Sequence, residues 1–267
     1  VSQAGRGRPG AATSQSGDVT LPVGLHPAVG GEGEGKGKRT IRIVPTTTPF
    51  VAEALPRPRR PDAERTRQEI LTVARKEFAL HGLSGARVDS IAARTRTAKR
   101  MIYYYFGSKE GLYLAVLEQA YADIRAIERQ LDLHALPPRE AIRRMIEFTL
   151  DYQEAHPDFI RLVSIENIHH GRYVAQSEVI QNLNVTVIEM LSDILARGQR
   201  DGLFRTDLDP VDVHMMISAF CFYRVSNRHT FGKLFDRDLG AEDVKQRHKR
   251  MLGDAVLGYV NLVRDGD

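Results

Sequence analysis

Arg87, Arg96, Lys99, Arg100 and Lys109 crowd a short stretch that also carries Met101, Tyr103 and Tyr105. Guanidinium and ammonium groups set this densely suit a polyanion, because each one that meets a phosphate oxygen makes a charge-assisted hydrogen bond. Lys109 falls in the first turn of a helix expected to open at Ser108, where its charge opposes the helix dipole. A cation there is unhelpful to the helix and well suited to a bound anion. The other reactive residue types make no comparable group. Ser164, Glu166 and His169 share one or two helical turns, with no nucleophile elbow around them. His169 and His170 are adjacent, and adjacent helical residues point about 100° apart, which does not suit one shared ion. With no Gly-rich phosphate loop and no Cys/His ligand spacing either, the chain is expected to be no enzyme and to hold no cofactor or metal.

The distribution of charge says where a polyanion would sit. Residues 1–60 hold nine Lys/Arg against four Asp/Glu, residues 61–112 ten against six, and residues 113–267 nineteen against twenty-four. The front is basic and the back acidic, so nucleic acid is expected at the front. Cys221 is the lone cysteine and can close no internal disulfide, which fits a reducing cytoplasm. Residues 1–38 lack the apolar stretch of a signal peptide. No apolar run is expected to reach the roughly 18 residues of a membrane span, so no membrane partner is expected.

The elements that must position these residues read as helices. Residues 1–60 are broken by Gly and Pro and cannot bury enough apolar surface, so they are expected to form a disordered basic arm. From Asp62, Ile70, Ala74 and Phe78 repeat at helical spacing, with Gly82 as a left-handed stop. Val88, Ile91 and Ala92 mark a short second helix, and about Ala98 to Tyr104 a third. Ser108 is placed to cap a long fourth helix. Pro137-Pro138 opens the next, which ends before Pro157, and further helices are expected at 157–168, 177–201, 210–228 and 241–264. No strand pair is evident. The expected fold class is all-α.

Helices of about 17, 8 and 7 residues, the last two joined by a tight turn, match a helix-turn-helix, whose final helix enters the major groove. Within 88–112, the residues Ile91-Ala92, Tyr103, Phe106, Gly107-Ser108 and Lys109-Glu110-Gly111-Leu112 resemble the fixed pattern of the TetR family of bacterial regulators. The resemblance covers residues 62–112 directly. It implies a DNA-binding head at 61–112 and a helical effector-binding and dimerisation domain at 113–267. In relatives the positions of Lys99, Arg100 and Met101 face base edges. A guanidinium at 100 can take guanine O6 and N7 together, and Met101 can pack on a thymine methyl. By the same resemblance Tyr103 directs its hydroxyl to a phosphate, as does Lys109 its ammonium. Arg87 and Arg96 are expected on the DNA backbone, and Tyr105 is open between core and interface. Two departures stand out: Arg96 and Ala98 replace the usual turn Gly and the Ser or Thr before the third helix, and Ala86-Arg87 replaces the Thr or Ser before the second. Thr97 is then expected to cap if the third helix starts a residue early.

For the C-terminal half, the resemblance implies a homodimer through helices 210–228 and 241–264. Val213, Met216, Ile217 and Phe220 on one, and Met251, Leu252, Val256, Leu257 and Val260 on the other, offer apolar surface for it. An unidentified small-molecule effector is implied too, with Glu166, Asn167, Tyr223, Arg224 and Asn227 as its candidate contacts. The expected function is a ligand-responsive repressor binding duplex DNA at a palindromic operator. Activation in place of repression and an architectural DNA-binding role without effector remain open alternatives.

Overall fold

The computed structural model describes residues 60–261, most of them in helices. The expectations for the basic arm, apart from Arg60, and for the end of the last helix at 262–264 lie outside the described residues. In α1 (Arg60–Gly85) the phase read from the sequence is the buried one: Ile70, Ala74 and Phe78 are all fully enclosed. Gly82 takes a φ of 66°, which breaks the helical path where the left-handed stop is expected. There follow α2 (Val88–Arg94), α3 (Lys99–Phe106) and α4 (Lys109–Glu128). The Ser108 hydroxyl accepts from the Gly111 N–H at 2.9 Å, so the cap of α4 forms as its spacing predicts. Gly111 matters for another reason. A Cβ there would stand 2.1 Å from the Phe106 carbonyl oxygen, so only glycine lets α4 start directly against the end of α3.

The rest is α5 (Pro138–Ala155), α6 (Pro157–Ile168), α7 (Glu178–Arg200), α8 (Pro210–Ser226), α9 (Arg228–Phe235) and α10 (Glu242–Val260). Prolines open α5, α6 and α8, where a missing N–H costs nothing, and the side chains of Ser177 and Asp209 cap α7 and α8. The short α9 is not expected from the sequence, and although Phe231, Leu234 and Phe235 fall at helical spacing none of its residues is fully buried. Among the described residues the β pairing is a single isolated bridge between Phe204 and Asn261.

Two cores hold the bundle. One joins α1 to α4 with Phe148 and Tyr152 of α5 and Phe159, Ile160 and Leu162 of α6. The other joins α5, α7, α8 and α10 through residues such as Ile142, Leu191, Ile217 and Val256. Arg75 of α1 adds a polar tie, pairing with Asp123 of α4 at 2.9 Å and with Asp158 at the start of α6. One helix corrects the hydropathy reading. An 18-residue window of α7 reaches a mean hydropathy of 1.2 and passes for a membrane span by length and composition. In the fold α7 packs along α4, α5 and α8 and contributes Leu191, Ile194 and Leu195 to the second core.

Candidate functional site

The third helix hangs from one anchor. Ile102, 1% exposed, is the only fully buried side chain of α3, and it packs into the core with Ile70, Val88 and Ile91. At 100° per residue the positions opposite Ile102 are 100 and 104. Arg100 is accordingly exposed, Tyr104 is 77% exposed, and Tyr103, at 39%, flanks them. Met101 and Tyr105 are half-buried, and Tyr105 packs against the core, which places it on the inner side of the helix. Tyr104 is the one outward residue that the sequence reading did not single out.

The cations around α3 are not equally free. The Lys99 ammonium lies 2.9 Å from an Asp89 oxygen, and that contact holds its pKa above the ordinary lysine value. In the free chain Lys99 thus braces α3 against α2. Lys109 is half-buried and donates to the Ser84 carbonyl at 3.2 Å, which leaves two of its three donors for an anion. Arg87 and Arg96 are exposed, and Arg96 adopts a φ of 51°. The turn between α2 and α3 thus demands the left-handed conformation that glycine takes without cost and arginine does not.

Neither missing cap is replaced as the sequence suggests. Ala98, not Thr97, precedes α3, and the Thr97 hydroxyl donates back to the Thr95 carbonyl at 3.1 Å. For α2, the buried Glu77 on α1 does the work of a cap: its carboxylate accepts from the Arg87 N–H at 3.1 Å and lies 3.7 Å from Arg94 at the other end of α2. Glu77 shows in the sequence only as a charge on the apolar side of α1, three residues past Ala74 and one before Phe78.

Behind the head lies a cavity of about 770 Å³ lined from α4, α5, α6, α7 and α8. Its walls are mostly apolar, among them Ile124, Phe159, Ile160, Val163 and Phe222. Set into them are Arg125 and Glu128, a buried ion pair one turn apart on α4. Burial pushes the Glu128 carboxyl up and the Arg125 charge only partly opposes it. Beside them are Gln153 and His214, whose Nε2 is 3.2 Å from the Ser218 hydroxyl. Burial, with the nearby Arg125 charge, drives His214 down to about 4, so it is a neutral imidazole near neutrality.

Of the expected effector contacts, Asn167 alone lines this cavity, with its amide donating to the Val163 carbonyl. Glu166 is corrected to a loop anchor, since its carboxylate accepts the N–H groups of Tyr173 and Val174, each at 3.1 Å. Arg224 is 3% exposed, and its two terminal nitrogens are engaged by Glu154, the Leu239 carbonyl and His248, so it ties α8 to α5 and α10. Tyr223 is 50% exposed and turns toward Phe231, and Asn227 ends α8 with its amide on Ser226. A polar residue within an apolar stretch marks a cavity wall and a buried backbone partner alike.

The apolar residues expected to pair two copies also need correction. Val213, Ile217, Leu252, Val256, Leu257 and Val260 are buried within one chain, where they build the second core. Of the expected residues Met251 stays outside, and α8 adds Val211, Met215 and Tyr223 to the exposed face.

A family model described as bacterial regulatory proteins, tetR family, matches residues 70–116, and one described as tetracyclin repressor-like, C-terminal domain, matches residues 138–256. Over 195 residues the chain is 36% identical to the HTH-type transcriptional repressor NicS of Pseudomonas putida, covering 73% of this chain and 92% of that protein. A solved structure from Streptomyces coelicolor, a candidate transcriptional regulator, is 30% identical, with a TM-score of 0.56 over 73% of this chain and 98% of its own. The ketosteroid transcriptional regulator KstR2 of Mycobacterium tuberculosis shares the fold at 24% identity and a TM-score of 0.55, over 74% of this chain and 95% of its own.

Proposed function

Because this chain belongs to the TetR family of DNA-binding transcriptional regulators, we propose that it is a repressor that binds a palindromic operator as a homodimer and leaves it when a small molecule fills the cavity. The observation that carries the reading is α3, whose one fully buried side chain is Ile102, with Arg100, Tyr103 and Tyr104 turned outward. That helix enters the major groove. Arg100 takes guanine O6 and N7, and Met101 meets a thymine methyl from the flank. Tyr103, Arg87, Arg96 and Lys109 hold phosphates on either side and fix the register. Repression is supported by the name of the 36% identical relative.

Two heads are needed because one short helix reads too few base pairs to find a site. The exposed faces of α8 and α10, with Met215 and Met251, supply a two-fold contact that sets the heads about 34 Å apart, one turn of DNA. The dimer works in the cytoplasm, where the operator is. Release follows from linkage: a ligand that favours a splayed arrangement of heads lowers operator affinity by the same factor as the operator lowers its own. The path is short. Both α4 and α6 line the cavity, and both are tied to α1 by Arg75.

The test is selection of bound duplexes from a random pool by the full chain. Enrichment of a palindrome supports the reading, and enrichment of nothing refutes it. On the selected site, Tyr103→Phe and Lys109→Ala are expected to weaken specific and unrelated duplexes alike. Lys109→Ala should also lower the slope of log affinity against log salt by about one.

A further inference from the structure

Resting on the reading of α3 as the helix that enters the major groove, we infer that Asp89 is a specificity-determining residue. On DNA it stays paired with Lys99, and the two together select a keto base on one strand and an amino base opposite. Asp89 is the only acidic residue between Glu77 and Glu110, set among Arg87, Arg94, Arg96, Lys99, Arg100 and Lys109. Its side chain is 61% exposed, and its two oxygens lie 2.9 and 3.1 Å from the ammonium of Lys99, the first residue of α3. A carboxylate here opposes the phosphates that the surrounding cations attract. The first residues of a recognition helix meet base edges, so a carboxylate tied to Lys99 comes to the groove floor with it. Hydrogen-bond donors are scarce there. The major groove offers only cytosine N4 and adenine N6, so an amino base is what satisfies Asp89.

Neither partner is used up by the other. An ammonium carries three donors and a carboxylate about four acceptor positions, so both keep hydrogen-bonding capacity for a base. The spacing fits as well. Within a base pair the keto oxygen and the amino nitrogen are themselves hydrogen-bonded, about 2.9 Å apart. The Lys99 Nζ and the nearer Asp89 oxygen are 2.9 Å apart. Lys99 donates to guanine O6 or thymine O4 while Asp89 accepts from cytosine N4 or adenine N6 of the same pair. The direction is fixed because Lys99 stands on α3 and Asp89 on α2. G·C and T·A present that order. C·G and A·T reverse it, setting ammonium against amino group and carboxylate against carbonyl, and are rejected. Guanine adds N7 as a second acceptor, so G·C leads T·A.

The test uses the operator selected by the unaltered full chain. One base pair in each half-site should bind as G·C or T·A, with C·G and A·T about tenfold weaker in competition binding. Replacing its cytosine by 2-pyrimidinone, or its adenine by purine, deletes the amino group and leaves the opposite base's acceptors in place. A similar loss of about tenfold is expected. A guanidinium on guanine O6 and N7 does not touch that amino group, so Arg100 does not account for the loss. Selection with Asp89→Asn, whose amide both donates and accepts, should lose the keto–amino order at that pair and at no other. The base replacements, made at every pair of the half-site, need no variant to fold. If no amino deletion weakens binding, or if Asp89→Asn keeps every base preference, Asp89 is a brace only. This inference then fails while the repressor reading stands. If the unaltered chain enriches no duplex, the repressor reading fails and this inference with it.

Discussion

In the head, α3 buries Ile102 alone and turns Arg100, Tyr103 and Tyr104 to solvent; in the body, α4 and α5 turn Arg125, Glu128 and Gln153 inward. The two regions are built of the same helices and spend their polar residues in opposite directions. An outward set needs only one helix and a phase to be recognised. An inward set exists only where several helices meet. The head can therefore change its target one side chain at a time with little effect on stability, while the body cannot alter its cavity without disturbing its packing.

The sharpest way to break this contrast is at Arg224. Arg224→Met leaves Glu154, 12% exposed, with only Lys245 and Arg228 at 3.3 and 3.6 Å. A loss of about 3 kcal/mol in urea unfolding is expected, with DNA affinity of the folded protein unchanged. Intact stability with a lost effector response would restore Arg224 to the cavity.

Acid should act on the body next. His214 has its folded pKa depressed to about 4, below the 6.5 of an unperturbed histidine. Between those values the unfolded chain binds the proton that the folded one refuses, so this contribution is complete above pH 6.5 and is lost as pH falls toward 4. Urea midpoints across that window should drop by an amount equivalent to about 3 kcal/mol. His214→Phe should flatten the slope.

In the head the expected losses are of affinity and not of folding. Arg100→Ala should weaken the selected operator by about 1–3 kcal/mol, relax the preference at one base pair and leave unrelated duplexes nearly untouched. Equal losses on every duplex, measured by competition binding, would move Arg100 from base to phosphate. The smallest effect is expected at Arg96. Arg96→Gly relieves a φ of 51° and should raise stability by about 0.5–1 kcal/mol in thermal unfolding, while removing one cation from the DNA side.

The same contrast governs what the sequence discloses. Helix positions, the Ser108 cap and the exposure of Arg100 follow from spacing alone, because the head encodes its geometry in consecutive residues. Arg125, Glu128 and Gln153 carry no such mark. Each is an ordinary charged or polar residue until α5, α6 and α8 close around it, and Glu166 and Arg224 look the same in the sequence while satisfying backbone and ion pairs instead. Glu77 escaped for a related reason: its partner is the start of α2, ten residues on and across a turn. Of the apolar residues expected at the dimer contact, Met251 lies outside while Val213, Ile217, Leu252, Val256, Leu257 and Val260 lie inside, since helical periodicity finds a stripe but not whether one chain or two will cover it.

Seated against Phe106 at one end and bearing Arg125 and Glu128 near the other, α4 acts as a gauge block whose length is part of the mechanism. Splicing one residue into its middle would screw the far end round by about 100° and advance it by about 1.5 Å. Either extremity would still find its own neighbours, yet the message between them would arrive out of phase. Descendants of this gene are free to exchange side chains along that rod and not free to gain or shed a single link.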